Sequence, residues 1–156
     1  VIMARRQFRL EAVWRVRHLL EEKVKRELGE LQAELTRLRQ DRRDIDENIL
    51  AEHRRVDLNL RDGMRAEDLQ QAMYYINALH EKQGFAQLEE VDVRERLAEK
   101  RREYLAVSRD RQVIDRLRDK FLARRDYEEN REQEKAVMEI ALNRFLRAQR
   151  QEEAEE

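Results

Sequence analysis

Between Leu10 and Leu60 an apolar residue recurs at every third or fourth position. The stripe runs Leu10, Val13, Val16, Leu20, Val24, Leu28, Leu31, Leu35 and Leu38. It continues past Arg42 with Ile45 and Ile49, and past His53 with Val56 and Leu60. The mean step is about 3.6 residues, between the straight-helix and heptad periods, and there is no period-two alternation. This spacing predicts one amphipathic helix over about residues 5–61, roughly 85 Å long at the α-helical rise. Arg42 and His53 interrupt the stripe. We read them as packing through their aliphatic or ring portions while their polar ends reach water.

Asp62-Gly63-Met64-Arg65-Ala66 breaks the pattern. Gly63 suits the left-handed residue that ends a helix, and Glu67 and Asp68 suit the start of the next. A turn at 62–66 this short makes the two helices antiparallel neighbours. The second helix opens with Leu69, Met73, Ile76 and Leu79 and continues through Phe85, Leu88, Val91, Leu97, Leu105, Ile114, Leu117 and Phe121. Its spacing is less regular. Gly84, costly inside a helix, marks a kink or a second break, so residues 67–83 read either as a short separate helix or as the start of a long one. The long helix is expected over about 84–151, followed by a frayed acidic tail at 152–156. With the turn near residue 64, residue i faces roughly 128 minus i. The second helix then overhangs the first by about 25 residues, which need charge pairs or a partner.

The expected fold class is therefore all-α: a single-domain, two-helix antiparallel coiled-coil hairpin with an overhanging C-terminal helix. The composition agrees. The 156 residues include no Pro, no Cys and three Gly, too few turn formers for a barrel, a sandwich or an α/β sheet. Charged residues make up 44%, a level found in disordered chains, but the periodic apolar stripe argues for folding. Without cysteine there is no disulfide, thiolate metal site or cysteine nucleophile. The longest uncharged stretch, Leu69 to Leu79, is too short and too polar to span a bilayer. Val1 and Ile2 read as a remnant ahead of a natural start at Met3. Glu11, Arg15 and Arg17 interrupt any apolar run that a secretory signal would need, so the expected location is the cytoplasm.

Net charge is -1, without the global positive field of a nucleic-acid binder. Arg101-Arg102 and Arg124-Arg125 stand beside acids, so neither DNA nor RNA is an expected partner. Charge is nevertheless sorted along the chain. Residues 1–30 carry eight basic and five acidic side chains, and residues 94–125, expected to face them, carry twelve and six. Residues 63–93 carry two and six, and residues 126–156 five and ten. This makes a basic shaft with an acidic tip and an acidic tail, read either as ordinary coiled-coil surface or as a shaft entering an acidic-lined partner.

His18, His53 and His80 form no metal-binding pattern, and no glycine-rich phosphate loop or nucleophile elbow is present. A two-helix hairpin also lacks a concave pocket of substrate size. The chain reads as non-enzymatic, with no catalytic residue, no cofactor and no metal. Two clusters stand out instead. Phe8, Leu10 and Trp14, flanked by Arg9, Arg15 and Arg17, have the aromatic and arginine character of interface anchors. The alternative is that Trp14 packs on the overhanging helix. Near the turn, Tyr74, Tyr75, Ile76 and Leu79 are expected opposite Ile49, His53 and Val56. Two adjacent tyrosines do not both fit one seam, which leaves an exposed patch or a contact with a short third helix.

The opening Phe8-Arg9-Leu10-Glu11-Ala12-Val13-x-Arg15-x-Arg17 with Leu20-Glu21-Glu22 resembles the N-terminus of the flagellar export protein family FliJ. Tyr75-Ile76-x-x-Leu79 and the late block Glu134-Lys135-x-x-x-Glu139-Ile140-Ala141-x-x-Arg144 resemble it too. Glu134 replaces the usual Gln of that block, and Met138 the usual Asp. The resemblance implies an antiparallel coiled coil similar to the central stalk of rotary ATPases. It implies docking into a hexameric export ATPase, promotion of that enzyme's assembly and activity, contact with the cytoplasmic domain of the membrane export gate, and cycling of substrate chaperones. Carried over by position, Phe8, Leu10, Val13, Trp14, Arg17, Leu20, Lys135 and Glu139 face the ATPase, and Ile49, His53, Tyr75 and Leu79 meet the gate. Membrane association is then peripheral, through the gate, and the free protein is a monomer. An injectisome stalk of the same architecture and a structural coiled-coil adaptor without an ATPase partner are the alternative readings.

Overall fold

The computed structural model describes residues 7–155. It is an all-α helical hairpin of two long helices that pack against each other. Helix α1 spans Glu11–Arg61 and helix α2 spans Ala66–Glu155. The chain divides into two compact units: a turn unit, Leu20–Ser108, and a terminal unit formed by Val1–Leu19 with Arg109–Glu156. Residues 5 and 6 of the expected first helix, the expected start at Met3 and the last residue of the acidic tail lie outside the described residues.

In the turn unit α1 stops where Gly63 adopts φ 89°, a conformation that costs any residue with a Cβ. The amides of Asp62 and Gly63 donate to the carbonyls of Asn59 and Leu60, closing the last turn tightly. The Leu69 amide then donates to Arg65, and the Arg65 guanidinium reaches Asp68 at 3.2 Å. No separate short helix follows: α2 runs unbroken through Gly84. One glycine costs about 1 kcal/mol in a helix interior, less than breaking and renucleating the helix. Residues 152–155 are helical as well.

The seam of this unit keeps a strict alternation of three and four. On α1 it passes through Glu21, Val24, Leu28, Leu31, Leu35, Leu38, Arg42, Ile45 and Ile49, then Glu52, Val56 and Asn59. On α2 it passes through Ala72, Ile76, Leu79, Gln83, Ala86, Glu90, Val93, Leu97, Lys100, Tyr104 and Val107. Two apolar clusters form along it: Leu35, Leu38, Val93 and Leu97, with Leu28 and Leu31 against them, and Val56, Ala72 and Ile76, with Met64 and Leu69. Facing residues such as Glu27 and Lys100, Glu34 and Arg96, or Asp46 and Gln83 have numbers that add to about 129, which is the antiparallel register.

This seam departs from the apolar stripe of the sequence. On α1 the two coincide from Val24 to Ile49 and part beyond. His53 and Leu60 give way to Glu52 and Asn59 near the turn. A stripe with a 3.6-residue period drifts about 20° per heptad from a 3.5-residue seam, so it leads off the contact face at its ends. On α2 the difference is larger. Met73, Phe85, Leu88, Val91 and Leu105 are exposed, and Gln83, Glu90 and Lys100 stand in the seam instead.

Among the described residues Glu90, at 1% exposure, is the most deeply buried charged side chain, ahead of Glu21. Arg42 Nη1 donates to it at 2.7 Å, Arg39 Nε at 3.3 Å, and Arg94 reaches it from one turn along α2. Arg42, placed on the seam by its spacing, thus spends its polar end on a buried carboxylate as well as on water. Burial pushes the Glu90 carboxyl up. The hydrogen bond from Arg39 and the charges of Arg42 and Arg94 outweigh it, leaving the group below its ordinary value.

The terminal unit is built the same way. Trp14 of α1 meets Asp115 and Arg118 of α2, Arg17 meets Asp110, and Phe8 stacks at a tilt on Phe121 with ring centroids 5.4 Å apart. Here too the stripe leaves the seam: Val13 and Val16 are exposed, as is Leu19 beside it. From Arg131 to Ala154 every residue of α2 is exposed.

Candidate interaction surfaces

In the terminal unit a polar knot ties the first turns of α1 to α2. Asp115 is its centre. Trp14 Nε1 donates to Asp115 Oδ1 at 2.7 Å, His18 Nε2 lies 2.7 Å from the same oxygen, and Arg111 reaches the other oxygen. The Arg118 guanidinium sits 4.3 Å over the Trp14 ring and donates to Glu11 at 3.1 Å. The Trp14 and His18 rings stack with centroids 4.4 Å apart. Arg17 Nη1 donates to Asp110 Oδ2 at 2.9 Å. Burial pushes the Asp115 carboxyl up. Hydrogen bonds from His18, Trp14 and Arg111 bring it below its ordinary value.

These contacts sort the residues expected to face an ATPase. Phe8, Trp14 and Arg17 are half-buried or paired inside the unit and hold its two helices together. Leu10 and Val13 stand partly open beside them, and Val16 and Leu19, absent from the expected set, are more open still. Leu20, the first residue of the turn unit, is likewise at the surface. Lys135 and Glu139 lie on the exposed part of α2. Around them Val137, Met138, Leu142, Phe145 and Leu146 are open, with Phe145 at 60%. Steps of three and four place Met138, Leu142 and Phe145 on one face of the helix. The sequence signal for this face is the three- and four-residue spacing of Met138, Leu142 and Phe145, which lies beyond the stripe read on α2 up to Phe121.

The residues expected to meet the gate do not share one face. Ile49 is buried in the seam and Leu79 is 4% exposed. Tyr75 is 51% exposed and lines an open cleft with Glu52, Arg55, Asn59 and Met64. His53 is exposed on the opposite flank of the seam, with its ring 6.4 Å from that of His80. Tyr74 is also exposed, so both tyrosines of the pair are open. Their neighbour Ile76 is the one that packs.

Among the described residues no group of three or more His, Asp or Glu side chains gathers to hold a metal ion. No helix among them is long and apolar enough to cross a membrane.

A family model described as flagellar FliJ protein matches residues 6–150. No curated protein and no solved structure matches the chain.

Proposed function

Since the chain belongs to the flagellar FliJ family, and is thereby a protein of flagellar export, we propose that it acts as the non-enzymatic coupling stalk of that apparatus. In this reading the terminal unit docks into the hexameric export ATPase and promotes its assembly and activity. The turn unit contacts the cytoplasmic domain of the export gate, and the stalk links the ATPase to substrate chaperones. The protein then works in the cytoplasm, at the inner face of the membrane, without entering the bilayer.

The observation that carries the reading is the state of α2 beyond its last half-buried residues, Glu128 and Glu129. The helix continues for more than twenty residues with every side chain exposed, and six of its large apolar side chains crowd within ten positions. A contiguous apolar helix face in water marks a partner. Val16 and Leu19 of α1 give the same unit a second open apolar face. Docking by these faces leaves the Trp14–Asp115 knot intact, as a stalk that must hold its shape requires.

The test is ATP hydrolysis by the cognate export ATPase with and without this protein, alongside the enzyme's oligomeric state. Stimulation with a larger hexamer fraction, lost in Met138→Ser with Phe145→Ser while helicity and Trp14 emission stay unchanged, is the expected result. Unaltered hydrolysis in the presence of folded, monomeric protein would remove the ATPase role and leave a structural adaptor.

A further inference from the structure

Helix α2 has a second organised face in the turn unit, and α1 does not touch it. Opposite the seam, steps of three and four run from Tyr74 to Glu99 as regularly as the seam itself. Tyr74, Phe85 and Leu88 supply its apolar part, with Val91 beside them. Phe85 is 67% exposed and Leu88 69%. Glu81, Asp92, Glu95 and Glu99 supply the rest, and no Lys or Arg falls on this line. Asp92 pairs with Arg96 at 3.1 Å. Single exposed leucines need no explanation. Three large apolar side chains within seven residues, two of them in helical step and framed by carboxylates, form a patch that the hairpin does not use.

The charge decides what fits there. Anionic lipid and nucleic acid are repelled. A second copy of this chain laid parallel would set these carboxylates against their own equivalents, and one laid antiparallel over Phe85 and Leu88 would set Glu81 against Asp92, which is destabilising. A straight row at helical spacing accepts the ridge of another helix.

We propose that the outward face of α2 between Tyr74 and Glu99 docks a basic amphipathic helix of a partner protein. Its apolar residues lie on Phe85 and Leu88, and its Lys or Arg side chains meet Glu81, Asp92, Glu95 and Glu99. The surface is separate from Tyr75 and from the terminal unit, so it stands whether or not the stalk reading does.

The full chain is titrated with a fluorescent model helix of about 20 residues built from leucine and lysine, and with its twin carrying glutamate for lysine. The expected result is binding of the basic helix alone, weakening as salt rises. Phe85→Ser with Leu88→Ser, and separately Glu81→Lys with Glu95→Lys, each weaken it at least about tenfold. Melting temperatures stay unchanged, because these side chains project away from the seam. Stimulation of the ATPase, read on the same variants, also stays unchanged. Equal binding of both helices, or wild-type affinity in both double variants, overturns the proposal. So does a dimeric mass that disappears in Phe85→Ser, which would make the occupant a second copy.

Discussion

Arg42 on α1 and Glu90 on α2 meet across the seam at 2.7 Å, with Arg39 and Arg94 closing on the same carboxylate. A charge in this position fixes which residues face one another, because any slip of the helices by a heptad leaves Glu90 buried among apolar side chains. Glu90→Gln is expected to destabilise the protein by about 1–3 kcal/mol, the worth of hydrogen bonds to a charged group. The three arginines are half-open and recover water, which keeps the loss below that of a fully buried pair. The pH dependence follows from the lowered Glu90 value. Its contribution is complete above the ordinary carboxylate range and is lost as pH falls through the lower folded value. Urea midpoints between pH 3 and 7 should therefore fall more steeply toward acid in the wild type than in Glu90→Gln.

Two glycines on one chain should respond to alanine with opposite signs. Gly63 has φ 89°, so Gly63→Ala is expected to cost about 1 kcal/mol. Gly84 is helical with open space around it, so Gly84→Ala is expected to stabilise by up to about 1 kcal/mol. Thermal melts followed by circular dichroism check both.

Tyr75 and Leu79 are one turn apart and do different things. Leu79→Ala empties a packed position and should cost about 2–4 kcal/mol. Tyr75→Ala should cost less than about 1 kcal/mol, since half of the residue is in water and the seam does not include it. Under the proposed gate contact, Tyr75→Ala weakens binding to the gate's cytoplasmic domain at unchanged melting temperature. Loss of affinity only in parallel with loss of stability would assign Tyr75 to packing.

Trp14, the sole tryptophan, reports on the terminal unit without labelling. Asp115→Ala removes the acceptor shared by Trp14 and His18. It is expected to red-shift Trp14 emission and to cost about 1–2 kcal/mol in that unit. Val16→Ser, on the open side of the same helix, should leave the emission where it is. A red shift in both variants would mean that Trp14 senses general fraying instead of this hydrogen bond.

Much of the fold is legible in the amino-acid order. Apolar spacing without proline, with one glycine placed to turn left-handed, leaves two long helices and a reversal as the only compact arrangement. The family is legible too, through Phe8 to Glu22 and the block from Glu134 to Arg144. What the sequence leaves undetermined is the face. Phe85, Leu88 and Val91 carry the apolar signal of α2, yet Gln83, Glu90 and Lys100 occupy its seam. The contact between two helices repeats every 3.5 residues, a constraint that belongs to the pair. A polar side chain can hold a seam position when the opposite helix supplies its partner, as Arg42 does for Glu90 and Asp46 for Gln83. Such pairings join residues 37 or 48 positions apart, and no local pattern announces them. The helical character of both spans and the turn at Gly63 thus follow from the amino-acid order, whereas the continuity of α2 through Gly84 does not. Which apolar residues pack and which remain open to a partner is set by the register of one helix against the other.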